Sequence, residues 1–218
     1  MTTQLVLLSG GLDSSVALGT ASEPRIALSV DYGQRHRASE LKAAERMAAL
    51  YEVEHYVLDL TSWGALLPGG SLTDDGVEVP DGMYDAPSMA ITVVPNRNAT
   101  LLMAAVGVAQ AHGIDTVVTA VHAGDHTIYA DCRPDFIKAA RTTAKLATEG
   151  AVDVSAPFIK MSKGDIAKLG FKHGVPLYAT WSCYKGGATQ CGTCGTCTER
   201  REAFSDAGIS DPTPYLAP

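Results

Sequence analysis

Two groups of residues in this chain have the types and spacing to do chemistry. The first is "SGGLDSS", Ser9 to Ser15, directly after the apolar run Gln4 to Leu8. A Gly-Gly turn lets the backbone approach a ligand closely and adopt positive φ. A helix opening at Ser14 would aim unpaired N–H groups and the positive end of its dipole at the same point. The result is an anion site suited to phosphate, with Ser9, Ser14 and Ser15 adding hydroxyl donors. Asp13 repels phosphate, so it serves either to hold the loop or to bind Mg²⁺ together with phosphate oxygens. The stretch matches neither G-x-x-x-x-G-K-[ST] nor G-x-G-x-x-G. Without a ligand it reads as a glycine turn followed by a serine-capped helix.

The second group is Cys183, Cys191, Cys194 and Cys197, spaced C-x7-C-x2-C-x2-C. Four thiolates suit tetrahedral Zn²⁺, and four filled positions make a closed, structural site. Gly186, Gly187, Gly192 and Gly195 allow the tight turns such a knot requires. An iron–sulfur cluster also takes four cysteines. In a reducing compartment a metal is the better reading than disulfides. Cys132 stands alone and reads as a small buried residue rather than a nucleophile.

The elements that must position these groups follow from the hydrophobic pattern. Gln4 to Leu8, Arg25 to Val30 and "HYVLDL" from His55 read as strands, with helices at Ser14 to Thr20 and Ser39 to Leu50 between them. A β-α-β-α-β order predicts a parallel sheet. Residues 61–90, rich in Gly, Pro and Asp, read as a long functional or mobile loop. Asn98 to His112 is apolar nearly all round and predicts a buried helix. Asp115 to Val121 and Ala151 to Ser155 are further strands, Phe136 to Thr148 and Ser162 to Phe171 further helices, and Ser162 is a cap. A last periodic stretch runs from Thr198 to Phe204. The expected architecture is α/β: a doubly wound, mainly parallel five-stranded sheet over 1–175, with a zinc-binding segment over 176–218 packed on it.

Composition narrows the class. The chain has 218 residues, 46% apolar and 19% charged, which is enough for one core of ordinary globular type. A net charge of −7 argues against a broad nucleic-acid surface, because phosphate neutralisation needs clustered Lys and Arg. No apolar run approaches the roughly 20 residues of a membrane span. The N-terminus lacks signal-peptide character, so the cytoplasm is the simplest location.

"SGGLDSS" after a strand resembles the pyrophosphate-binding loop of the N-type ATP pyrophosphatases, whose fold is adenine nucleotide alpha hydrolase-like. That resemblance implies that Leu8, Ser9, Gly10, Gly11, Leu12, Asp13, Ser14 and Ser15 bind ATP, with Ser9, Gly10, Gly11, Asp13, Ser14 and Ser15 holding its phosphates. It also places adenine near Asp31, Tyr32 and Gln34 at the end of the second strand. The segment "TWSCYKGGATQCGTCGTCTERREAF" resembles, more specifically, the C-terminal end of the 7-cyano-7-deazaguanine synthases. "SVDYGQRHR", "VPNRN" and "DCRPDFI" extend that resemblance through nearly the whole chain. The chain departs from the family's pattern at Asn96, where glycine is common, and at Ala130, where proline is common.

The resemblance implies a ligase that takes 7-carboxy-7-deazaguanine, ATP and ammonia to the nitrile, with Mg²⁺, a structural Zn²⁺ and a homodimeric assembly. A non-redox ATP enzyme needs no electron carrier, which favours zinc over iron–sulfur. Lys163 is then a candidate to neutralise phosphate charge in the transition state, against an ordinary solvated lysine. Arg97 and Asn98 lead into a buried helix, where a charge needs a partner, and are candidates for phosphate or substrate. Asp125, Asp131 and Arg133 follow the fourth strand, where open α/β sheets bind ligands. A guanine-like ring offers N–H donors to a carboxylate, and a substrate carboxylate suits arginine. Lys163, Asp13 and Arg97 are thus the expected catalytic residues, and Arg97, Asn98, Asp125, Asp131 and Arg133 the expected substrate contacts. His122 and His126, four apart but in a loop, do not make a second metal site. His36 reads as either a helix-start or a functional residue. Trp181 and Tyr184 would stack on the substrate or pack around the zinc knot. Two relatives remain as rivals: one that stops at the amide, and a tRNA-thiolating enzyme, which should carry a basic RNA surface that this chain lacks. A zinc-stabilised nucleotide-binding module without catalysis is the third.

Overall fold

The computed structural model describes residues 3–23 and 25–216. Its strands are β1 (Gln4–Leu7), β2 (Arg25–Asp31), β3 (His55–Asp59), β4 (Thr116–Val118) and β5 (Asp153–Ser155). Its α-helices are α1 (Leu12–Thr20), α2 (Arg37–Leu50), α3 (Thr61–Gly64), α4 (Ala86–Met89), α5 (Arg97–Ala111), α6 (Pro134–Ala147), α7 (Lys163–Lys172) and α8 (Gly195–Ala207). The strands form one sheet in the order β3-β2-β1-β4-β5, and every neighbouring pair is parallel.

Successive residues of a strand face opposite sides, and both sides of β1 are covered. Leu5 packs in a cluster with Leu102, Ala105, Ala109, Ala140 and Ala144, from α5 and α6. Val6 packs on the other side with Val16, Ala44, Met47, Ile166 and Phe204, from α1, α2, α7 and α8. The chain winds outward from β1 to β3, then returns to place β4 on the other side of β1. The connections after β1 and β4 therefore leave in different directions, and a crevice opens between them at the carboxyl ends of the strands.

Three elements differ from their sequence pattern. β4 pairs over only three residues, because the chain turns away after Thr119 to build one wall of the crevice. Residues 61–90 are packed rather than loose: Ser71 and Leu72 are fully buried, and Arg35 binds the carbonyls of Asp74 and Val77 at 2.9 and 2.8 Å. α5 buries one side only, through Leu102, Ala105, Val106 and Ala109, because it forms the outer layer on its face of the sheet. Its Gly107, Gln110 and Ala111 are exposed. No helix among the described residues is long and apolar enough to cross a membrane.

The C-terminal segment is tied down by a buried arginine. Arg200 is 0% exposed and donates to Thr180 Oγ1 at 2.7 Å, the Leu177 carbonyl at 3.0 Å and Asp211 Oδ1 at 3.2 Å. Removing one member of a buried ion pair strands the other. Arg200→Ala is expected to cost about 3 kcal/mol of stability, read as a lowered urea midpoint. An unchanged midpoint would show that the clamp carries no stability.

Candidate active site

The phosphate-type loop is fixed by two backbone contacts. Gly10 has φ +79°, and a Cβ there would lie 2.5 Å from Ala44 N and 2.6 Å from the Glu40 carbonyl, so only glycine fits against α2. Its carbonyl accepts the Trp181 N–H at 2.9 Å, which joins the loop to the C-terminal segment. Gly11 caps α1 with no side-chain hydrogen bond, so the N–H groups of the first turn remain available. Ser9 Oγ and Ser14 Oγ are 3.1 Å apart and shape the turn. Ser15 is fully buried beneath it, with its Oγ unpartnered.

A charged cluster stands beside this loop. Ser162 and Asp165 form a capping box, with Asp165 N–H to Ser162 Oγ at 3.1 Å and Ser162 N–H to Asp165 Oδ2 at 3.0 Å. The box sets Lys163 at the first position of α7. Lys163 Nζ lies 2.6 Å from Glu199 Oε2 and 3.3 Å from Asp13 Oδ2. Burial disfavours the Lys163 charge, but Asp13, Glu199 and Asp125 outweigh it and hold the proton more tightly than usual. Burial also pushes the Asp13 carboxyl up, yet the neighbouring Lys163 charge holds it below its ordinary range. Glu199 goes the other way: burial raises it more than Lys163 lowers it. Asp125 accepts the Tyr84 hydroxyl at 2.9 Å.

The cluster also bears on metal binding. Asp13 Oδ1 is buried without a hydrogen-bond partner, an oxygen that a bound Mg²⁺ would satisfy. Ligand atoms of His122, Asp125 and Glu199 lie within 4.8 Å of one another. His122, however, already accepts the Gly124 N–H on Nδ1 at 3.1 Å. A neutral ring then carries its proton on Nε2, which lies 3.5 Å from Asp125 and 3.7 Å from Asp13. That nitrogen has no lone pair for a metal, so the carboxylates are the ligands on offer.

The same crevice also has aromatic lining and holds Arg97. The lining there includes Tyr32, Gln34, His36, Glu40, Tyr129 and Tyr184. Arg97 donates to Asn98 Oδ1 at 3.1 Å and lies 5.8 Å from the centre of the Tyr129 ring. Among the described residues it has no carboxylate within 4.0 Å, so it is available to an anionic ligand. The crevice has a cavity volume of about 240 Å³, close to the lower end of the roughly 300–1,000 Å³ typical of small-molecule sites.

The other residues singled out from sequence take supporting positions. Asp131 accepts the Asn98 N–H at 2.8 Å and anchors the start of α5 rather than lining the crevice. Arg133 is exposed and donates to the His126 carbonyl at 2.8 Å. Asp31 accepts the Gly33 N–H at 2.9 Å behind the lining. Cys132 lines the crevice but is 2% exposed, and burial pushes its thiol well up. Tyr84, Glu199, His122 and Glu40 were not legible from local spacing, since they come from four separated segments. Asn96 precedes α5 with φ +56°, in the left-handed region that glycine and asparagine tolerate, and is exposed. Its presence answers a backbone need and does not reshape the crevice. Asn96→Gly is expected to leave stability within about 0.5 kcal/mol, and Asn96→Ala to cost about 1 kcal/mol, by urea unfolding. Equal midpoints for the two variants would remove the backbone explanation.

The four clustered cysteines fit a closed metal site. Their sulfurs lie within 4.8 Å of one another, and Cys191 and Cys197 are separated by 3.8 Å. Tetrahedral zinc with Zn–S bonds of about 2.3 Å holds its sulfurs about 3.8 Å apart. Backbone N–H groups of Thr193 and Cys194 point at Cys191 Sγ, at 3.4 and 3.3 Å, and favour the thiolate. Gly192, at φ +80°, makes the turn between the second and third cysteines. An isolated bridge from Cys194 to Asp81 ties the knot to the long connection.

A doubly wound parallel sheet, a glycine turn opening onto a helix N-terminus at its switch point, and a four-cysteine cluster in the segment bonded to that turn define the class of α/β protein. The sequence model of the family described as queuosine biosynthesis protein QueC matches residues 3–208, and the chain belongs to that family. It is similar to the 7-cyano-7-deazaguanine synthase of Brucella anthropi, 53% identical over 97% of this chain and 92% of the relative. It is likewise similar to 7-cyano-7-deazaguanine synthase 1 of Mesorhizobium japonicum, 54% identical over 97% of this chain and 92% of the relative.

Proposed function

We propose that this chain is an ATP-dependent carbon–nitrogen ligase that converts 7-carboxy-7-deazaguanine and ammonia to 7-cyano-7-deazaguanine. The reading is supported above all by the anion loop with Lys163 beside it, in a crevice that also holds Arg97, which among the described residues has no carboxylate within 4.0 Å. The relatives' names agree with it. The chemical difficulty is a poor electrophile, because a carboxylate oxygen is a bad leaving group. Attack of that oxygen on the α-phosphorus of ATP expels pyrophosphate and turns the oxygen into part of AMP. Ammonia then displaces AMP and gives the amide. The amide oxygen attacks a second ATP in the same way, and loss of AMP with the remaining nitrogen protons leaves the C≡N bond.

In this scheme Arg97 holds the substrate carboxylate. Leu8 to Ser15 receive the phosphates through backbone N–H groups and hydroxyls. Lys163, kept charged by Asp13 and Glu199, opposes the negative charge that builds on the phosphorus oxygens. Asp13, with its unpartnered oxygen, would hold Mg²⁺, which supplies further charge neutralisation on the phosphates. Zinc on Cys183, Cys191, Cys194 and Cys197 would hold the segment that covers the loop. The enzyme is expected to work in the cytoplasm as a homodimer, without direct contact to nucleic acid.

The test is a mass-spectrometric time course with 7-carboxy-7-deazaguanine, ATP, Mg²⁺ and ammonium. Nitrile accumulating with two AMP per turnover is the expected result. An amide that never dehydrates would make this an amide-forming relative. No AMP at all would overturn the ligase reading for this substrate.

A further inference from the structure

We infer that Glu40 selects the substrate's ring, its carboxylate accepting the N1–H and 2-amino N–H of a 2-amino-4-oxopyrimidine edge. This rests on the function proposed above and concerns the same crevice. Three carboxylates line the crevice: Asp13, Glu40 and Asp125. Two are committed to the cluster beside the phosphate loop, Asp13 to Lys163 at 3.3 Å and Asp125 to Tyr84 at 2.9 Å. Glu40 stands apart from that cluster. Among the described residues it has no lysine or arginine within 4.0 Å. Its Oε1 lies 3.3 Å from His36 Nε2, and its Oε2 accepts Gln34 Nε2 at 3.1 Å.

A carboxylate offers about four lone-pair positions, two on each oxygen. One bond to each oxygen therefore leaves one acceptor position on each, side by side. Two parallel N–H donors, as on the edge of a guanine-type ring, match that pair. The carboxylate is also held still. Gln34 is 2% exposed and is itself fixed by the Tyr32 N–H at 3.0 Å and the Val30 carbonyl at 3.2 Å. His36, also 2% exposed, packs its ring against Tyr184 at 4.9 Å. With Nε2 donating to Glu40, His36 Nδ1 is an acceptor, and it is buried without a partner. A buried acceptor and a buried carboxylate with open positions both call for donors. Tyr32, Tyr129 and Tyr184 line the same crevice and offer the flat walls that a planar ring requires.

Burial pushes the Glu40 carboxyl up, but His36, Gln34 and Arg97 outweigh it and keep the group ionised at neutral pH. An ionised carboxylate only accepts. It therefore turns away the adenine edge, which presents an acceptor at N1, and keeps the base of ATP out of the substrate's place.

The test compares wild type with Glu40→Gln on two rings, 7-carboxy-7-deazaguanine and its analogue lacking the 2-amino group. Binding of each ring is measured by calorimetry without ATP, and turnover is measured alongside. Wild type should prefer the amino ring by about 10²-fold. Glu40→Gln should reduce that preference at least tenfold, mainly through affinity, with the KM for ATP unchanged. A variant that keeps the full preference overturns the inference. So does a variant that raises the KM for ATP instead, which would place Glu40 at the nucleotide. If Glu40→Gln fails to fold, a wild-type preference of less than about fivefold overturns it equally. Failure of the ligase reading shows separately, as wild type that forms no AMP, and the binding ratio still judges Glu40.

Discussion

Lys163→Ala is expected to lower the rate of pyrophosphate release by about 10³-fold while leaving the chain folded. The side chain is 15% exposed and sits between Asp13 and Glu199, so it meets the phosphates as a desolvated, fixed charge. Charge stabilisation at such a position acts on the transition state more than on bound substrate. The loss should therefore fall mainly on kcat. The variant also leaves Asp13, Asp125 and Glu199 without a lysine. Glu199, whose carboxyl burial already raises, would take up a proton in response. Lys163→Met, closer in volume, separates lost charge from lost packing. Pyrophosphate release within a few-fold of wild type in both variants would reduce Lys163 to a structural ion-pair partner.

Stripping the metal from the cysteine knot should abolish turnover, although none of the four cysteines lines the crevice. A structural zinc contributes about 10–16 kcal/mol to the segment it organises, as much as the whole stability of an ordinary domain. Without it Cys183, Cys194 and Cys197 keep only weaker ties, packing on Val79 and the Asp81 bridge to Cys194. Trp181 then loses its register against Gly10, and Glu199, at the second position after Cys197, loses its place beside Lys163. Cys194→Ser should show the same defect as chelation: no bound metal by elemental analysis, a lower thermal midpoint and no AMP formed. Full activity in a chain verified to be metal-free would separate the knot from the site.

How far the molecule could be read from sequence depended on whether a feature is local. "SGGLDSS" and the cysteine spacing each lie within a short window, and each reports its own turn geometry. β1 and β2 were legible because strands covered on both faces have apolar centres, Leu5 to Leu7 and Ile26 to Leu28. The end of β4 was not, since Thr119 to Val121 look like strand but serve as a wall. The long connection reads as a loop from its Gly, Pro and Asp, yet Leu72 and Met89 are buried by partners distant in sequence. His122 illustrates the same limit. Its spacing to His126 carries no message, and its place beside Asp13 follows only from how β1 and β4 meet. Asp131 and Arg133 do follow the expected strand, but local contacts to Asn98 and His126 hold them outside the lining.

The Trp181 to Gly10 bond joins two stretches of chain that are made far apart in time during synthesis. The phosphate loop emerges early, on a strand that pairs soon afterwards with β2. Trp181, Ser182, Tyr184 and Thr196, which wall the crevice, and Glu199, which holds the lysine, all arrive much later. During synthesis the loop therefore exists without its cover, and a chain abandoned before the cysteines has no closed site in which to spend ATP. Assembly of the site therefore waits for the segment that carries the cysteines.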